Sequence, residues 1–174
     1  MRRLLLLRHA KAIPATGRRD FDRPLIERGR RDAAQIGAFV AEIGMVPDLA
    51  IHSGAARARE TAAIVLKGWP QRIEARAEPG LYDATRPALY AIVRALPDTA
   101  RNVMLVGHNP GFADLANALA GRGEASDLAR LAGKFPTAGL AVLEFDVDRW
   151  RDAAPGAARL ARFATPDDVG VQSG

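Results

Sequence analysis

The strongest constraint in this chain is an alternation of two patterns. Short leucine-rich or β-branched runs alternate with longer alanine-rich stretches of helical period. The apolar runs predict strands over Arg3–Leu7, Asp48–Ile51, Arg72–Ala77, Asn102–Val106, Leu140–Phe145 and Arg159–Phe163. Between them the spacing predicts helices over Pro24–Ile43, Ala55–Lys67, Pro87–Leu96 and Pro110–Leu119. In the first, Ile26, Ala33, Ile36, Val40 and Ile43 approximate one helical face. Strands alternating with helices predict an α/β fold, a three-layer sandwich with a mostly parallel central sheet flanked by helices. With 174 residues, 48% of them hydrophobic, residues 1–174 are expected to form a single domain around one core. A loop is expected over Ala153–Ala158, and a loosely packed tail after about residue 166.

Composition then removes several function classes. There is no cysteine, which excludes disulfides, thiolate catalysis and cysteine-ligated metal, and is compatible with a reducing cytoplasm. The N-terminal apolar run is too short for a signal peptide or membrane span and is interrupted by Arg8, His9 and Lys11, so a cytoplasmic protein without a membrane partner is expected. A net charge of +5 invites a nucleic-acid reading. The cations, however, are 22 Arg and 3 Lys spread over the chain, with no interleaved aromatic strip, so no nucleic-acid partner is expected.

In open parallel sheets, ligands gather where the strands end at their carboxyl edge. Arg8 and His9 follow the first strand, and "NVMLVGHNPG" repeats the arrangement with His108 and Asn109. Asn109 suits a helix N-cap before Pro110, which would turn backbone N–H groups towards whatever lies beside His108. Thus His9 and His108, two of the three histidines, occupy matching places just beyond two apolar strands. In "IHSGAARARETA" the strand ends at His52 and Ser53, and Arg57 falls in the first turn of the following helix, near the same edge as Arg8; Arg59 is expected to be solvated. Arginine forks and helix N-termini suit phosphate oxygens. Two arginines and two histidines therefore describe a pocket for a dianion. A neutral imidazole there can attack phosphorus and form a phosphohistidine that water hydrolyses, with the arginines stabilising the equatorial oxygens, and no metal or cofactor is required.

These residues carry a family resemblance. "LRHAKA", "SGAARARETA" and "VGHNPG" resemble the histidine phosphatase superfamily, the phosphoglycerate mutase-like clan. "DFDRPLIERGRRDA", "PGLYDA" and "KFPTAGLAVLEF", with the small size, are similar to its SixA-type phosphohistidine phosphatase branch, over roughly residues 3 to 165. The resemblance implies that His9 is the phosphorylated nucleophile, Arg8 and Arg57 bind phosphate, and His108 contacts the phosphoryl group. Two departures are visible: Ala10 replaces the usual glycine after the nucleophile, and His52 precedes Ser53 where paired serines are usual.

Many relatives place a proton-donating carboxylate after the third strand. Here Asp83 is favoured, Glu78 is the other candidate, and a phosphohistidine phosphatase can dispense with one, because an imidazole leaves more easily than an alkoxide. Asp83 could equally cap the helix before Pro87, and His52 could be a strand-end residue. Arg23 could line the site or mark the entry to the first helix; Asp20 and Asp22 are expected to structure their loop. Lys11 is expected to be an exposed lysine, or else a contact for a phosphoprotein. The expected partner is a protein carrying a phosphohistidine domain, in signal transduction, admitted by a site too short of chain to be capped. The alternatives are a small phosphate ester, cleaved by a phosphomonoesterase of the same fold, and a catalytically idle phosphate-binding module.

Overall fold

The computed structural model describes residues 1–170. One sheet draws its seven strands from both ends of the chain: β1 (Arg2–Arg8), β2 (Leu49–His52), β3 (Glu74–Ala77), β4 (Asn102–Gly107), β5 (Ala120–Gly123), β6 (Leu140–Phe145) and β7 (Ala158–Ala164). Their spatial order is β3-β2-β4-β1-β6-β7-β5. The ladders are parallel except where β6 meets β1 and β7, so a single reversed strand makes the sheet mixed and mostly parallel.

The alternation along each central strand builds the two outer layers. In β1, Leu5 and Leu7 pack on one face with Ala33, Ile36 and Val40 of α1 (Glu27–Glu42) and Ala58, Ala62 and Val65 of α2 (Ala56–Lys67). Leu4 and Leu6 pack on the other with Leu89 and Val93 of α3 (Arg86–Arg94), Phe112 and Leu115 of α4 (Gly111–Leu119) and Leu131 of α5 (Ala125–Gly133). Successive strand residues point to opposite faces, so a run of four fully buried leucines feeds two cores at once. The expected three-layer α/β sandwich is the one observed.

Several expected boundaries need correction. The first helix begins at Glu27 rather than Pro24, because the preceding residues are held extended: Leu25 forms an antiparallel bridge to Ala12, and Ile13 N–H donates to the Pro24 carbonyl. The third strand is four residues, not six; among the described residues its only neighbour is β2, and pairing starts at Leu49 opposite Glu74. The third helix spans Arg86–Arg94, capped by the Thr85 hydroxyl, so Asp83 does not cap it. The fourth starts at Gly111 with Pro110 in the N-cap position; Asn109, joined to Pro110 by a cis peptide, lies one residue before it, and its Oδ1 accepts from Ala113 N–H in the first turn. Ala158 belongs to β7 rather than to the loop before it. After Thr165 the chain forms a short helix, α6 (Pro166–Val169), closed by a Thr165–Asp168 capping box, in place of the loose tail expected from residue 166; residues 171–174 lie outside the described residues. The sequence reading missed β5 and α5.

Candidate functional site

The three adjacent parallel strands β2, β4 and β1 end at one edge, and the ladder continues just beyond them. His9 N–H donates to the Gly107 carbonyl (2.9 Å) and Ser53 N–H to the Val106 carbonyl (2.9 Å). This register sets His9, Ser53 and His108 side by side. The rings of His9 and His108 lie 5.2 Å apart, centroid to centroid. Both are almost fully buried, at 7% and 8% exposure.

His9 is held in one tautomer. Its Nδ1 lies 2.7 Å from the Ala10 carbonyl, which can only accept, so Nδ1 carries the proton and Nε2 bears the lone pair. That lone pair accepts from Arg57 Nε–H at 3.3 Å. Burial, reinforced by His108, Arg57 and Arg8 against the Ala10 bond, pulls the His9 pKa down to about 3. His9 is thus a neutral base with Nε2 turned into the site. Its backbone is tied to α2 through buried Thr61, whose hydroxyl accepts from Ala10 N–H (3.0 Å) and donates to the Arg57 carbonyl (2.7 Å). Ala10 is fully buried and serves both bonds.

His108 pairs Nε2 with Ser53 Oγ (2.8 Å), and the same hydroxyl oxygen accepts from Ala55 N–H (3.2 Å). Its Nδ1 is buried without a partner. Burial, then Arg57, brings its pKa down to about 4. Arg8 donates to the Phe135 carbonyl (3.0 Å), and its Nε is the other buried orphan among the described residues. Asn109 donates to that same carbonyl (2.7 Å) and accepts from Ala113 N–H (3.3 Å). Asn109 therefore fixes the loop that carries Arg8's anchor.

Arg57, the second residue of α2, is anchored from a distant loop. Its guanidinium donates to the Asp20 backbone carbonyl (2.7 Å) and Asp20 Oδ2 (3.0 Å). Tyr82 O–H donates to the same carboxylate oxygen at 2.6 Å, and Arg23 Nε–H reaches Oδ1 at 3.0 Å. The Tyr82 bond, with Arg57 and Arg23 behind it, lowers the Asp20 pKa to about 2, while Asp20 raises that of Tyr82. Asp22 pairs with Arg19 at the surface, as a loop-structuring residue would. Arg23 also donates to the Ile13 carbonyl. It joins the loop to the site instead of entering the helix.

The structure therefore brings together Arg8, His9, Arg57, His108 and Asn109. Asp83 stands apart: exposed, with positive φ (51°), and without a side-chain hydrogen bond among the described residues. It lines a cavity of about 430 Å³ that opens on His108, with Arg86 and Asp114 on its rim. Glu78 caps a 3₁₀ turn through Gly80 N–H. His52 ends β2 half-buried, with Nδ1 on the Ser53 carbonyl. Lys11 and Arg59 are exposed. Sequence reasoning missed Ser53, Thr61 and Tyr82, and gave Asp20 only a loop role. The first two had a local signal, a hydroxyl within a few residues of Arg57, whereas Asp20 and Tyr82 meet across 62 positions. No group of three or more His, Asp or Glu side chains placed to hold a metal occurs among the described residues, nor does any helix long and apolar enough to cross a membrane.

Comparison with known proteins adds an independent line. Residues 4–85 match the family model described as the histidine phosphatase superfamily (branch 1). An uncharacterized protein of Mycobacterium tuberculosis is 35% identical over 162 residues, covering 92% of this chain and 99% of its own. The crystal structure of a candidate phosphohistidine phosphatase SixA from Agrobacterium tumefaciens superposes with a TM-score of 0.79 at 36% identity, covering 95% of this chain and 98% of that one. A protein histidine phosphatase SixA complexed with tungstate shares the fold, with a TM-score of 0.76 at 18% identity over 95% and 98% of the two chains.

Proposed function

The chain belongs to the histidine phosphatase superfamily, and on that premise we propose that it removes a phosphoryl group from phosphohistidine on a protein, passing it through His9 to water. The observation that carries this reading is the neutral His9 Nε2 facing into a buried site with Arg8, Arg57 and His108 around it. In the first transfer, Nε2 forms a bond to phosphorus as the bond from phosphorus to the substrate imidazole breaks. The leaving imidazole takes the electron pair, then a proton from water. In the second, water attacks phosphorus, the P–Nε2 bond breaks, and phosphate leaves with His9 neutral again.

Arg57 Nε–H already lies on the line of attack, so it moves from Nε2 to a phosphoryl oxygen as substrate enters. With the Ser53 hydroxyl donating to His108 Nε2, the His108 proton sits on Nδ1; Nδ1–H and Arg8 Nε–H lack partners among the described residues, and phosphoryl oxygens supply acceptors for them. Asn109 acts through Phe135, keeping Arg8 aimed. A phosphorylated imidazole needs little help from an acid, which agrees with an exposed, unbonded Asp83 and a Glu78 committed to its turn. The protein substrate is supported by the likeness to the Agrobacterium SixA.

One observation favours a second reading. Asp83 lines the same cavity as His108, where a carboxylate could protonate the alkoxide of a small phosphate ester. Phosphate release from a phosphohistidine-bearing domain and from p-nitrophenyl phosphate, measured for the native chain and His9→Ala, separates the two. Faster release from the phosphohistidine, lost in His9→Ala, upholds the proposal; preference for the ester replaces it with the second reading.

A further inference from the structure

Beside the phosphate-binding groups, three aromatic rings form a line from the buried site to solvent. Tyr82 stands edge-on to His108, with centroids 5.5 Å apart and an interplanar angle of 80°. Phe21 stands edge-on to Tyr82, at 5.1 Å and 89°. The outer ring is unusual for its exposure. Phe21 is 38% accessible, and Met1 is the one other large hydrophobic side chain exposed among the described residues. Phe21 is also seated: a Cβ added at Gly54 would approach its Cζ to 3.2 Å, so the bare glycine backbone supplies the floor under the ring.

The ledge is tied to the chemistry on both sides. Phe21 sits in the 3₁₀ turn Asp20–Asp22, whose Asp20 holds Arg57, while the Tyr82 hydroxyl is bound to that same carboxylate. Ring positions and phosphate donors are thereby set by one network. Phe21 thus presents apolar ring surface to solvent beside a site that is otherwise cationic and polar.

We propose that Phe21 and Tyr82 form a subsite for a flat, unsaturated leaving group, imidazole or aryl, and so select substrates whose phosphorus is bonded to a ring. This deepens the phosphohistidine reading and rests on it for the identity of the ring. An edge or offset ring contact is worth about a three- to tenfold preference.

The test is the ratio of kcat/KM on N-phosphoimidazole to that on phosphoramidate, two P–N donors with and without a ring. In Phe21→Leu, which keeps apolar bulk at an exposed position, the ratio is expected to fall about three- to tenfold. In Tyr82→Phe the ring stays while the bond that steadies Asp20 and Arg57 is lost, so both rates fall and the ratio holds. A ratio that holds in Phe21→Leu, or falls as far in Tyr82→Phe, overturns the ledge. If the native chain cleaves p-nitrophenyl phosphate but neither P–N donor, the phosphohistidine reading fails separately. The ledge is then decided by the same variants on p-nitrophenyl phosphate against acetyl phosphate, with the same fall in Phe21→Leu expected and a constant ratio refuting it.

Discussion

Keeping His9 neutral in a buried site carries a stability cost that grows as pH falls, and its size follows from the pKa. The unfolded chain holds a histidine near 6.5 and the folded one holds His9 at about 3. Between these values the unfolded state binds the extra proton and the folded state does not, so lowering the pH draws the equilibrium towards unfolding. Above pH 6.5 the penalty vanishes. From pH 7.5 to pH 5.0 it reaches about 2 kcal/mol for His9. His108, at about 4, adds about 1–2 kcal/mol, less because a cavity brings water to its side. Asp20, at about 2, stays ionised over this range and contributes little. Urea unfolding at the two pH values measures the loss directly. In His9→Gln, which cannot titrate, the loss between pH 7.5 and 5.0 shrinks by about 2 kcal/mol, whatever the variant's stability at pH 7.5. A variant that loses as much as the native chain over that interval would refute the claim that burial holds His9 neutral.

Other substitutions test the supports of the site. Gly29→Ala places a Cβ 2.1 Å from the Lys11 carbonyl oxygen, so α1 must move off the segment that follows the nucleophile; a loss of about 2–3 kcal/mol in urea unfolding is expected, with activity falling too. Thr61→Val leaves buried Ala10 N–H without an acceptor and costs about 1–3 kcal/mol, seen as a lower urea midpoint at unchanged slope. Asp83→Asn lowers phosphohistidine hydrolysis by less than about tenfold, where removal of an essential proton donor would cost about 10²- to 10⁴-fold in kcat.

What could be read in the sequence and what could not divide along a physical line. The runs Leu4–Leu7 and Val103–Val106 are buried on both faces, so composition alone announces central strands, and the polar residues that end them mark the sheet edge. That is why His9, His108 and Arg57 could be singled out together. β5 is Ala-Gly-Arg-Gly and buries no side chain, and α5 buries Leu131 alone, so neither leaves the periodic signal that burial creates. The hold on Arg57 is long-range. Asp20 and Tyr82 are polar residues in separate loops, and nothing local to either indicates that they share a hydrogen bond. Of the two carboxylates in "EPGLYDAT", the place after the Leu-Tyr pair favours Asp83 over Glu78, whereas its neighbour Tyr82 is the residue bonded into the network. Asn109 suits a cap by its position before Pro110, and its Oδ1 does accept from Ala113 N–H in the first turn of α4; its amide N–H also spans to Phe135, a contact no helix rule supplies.

The central claim is that the phosphoryl group rests on His9 between two transfers. Quenching the enzyme with base during turnover of a labelled phosphohistidine domain, then mapping the label by mass spectrometry, tests it most directly. The account predicts a base-stable, acid-labile phosphoryl group on His9 that forms before free phosphate and is absent in His9→Ala. A label on His108, or undiminished turnover by His9→Ala, would contradict it.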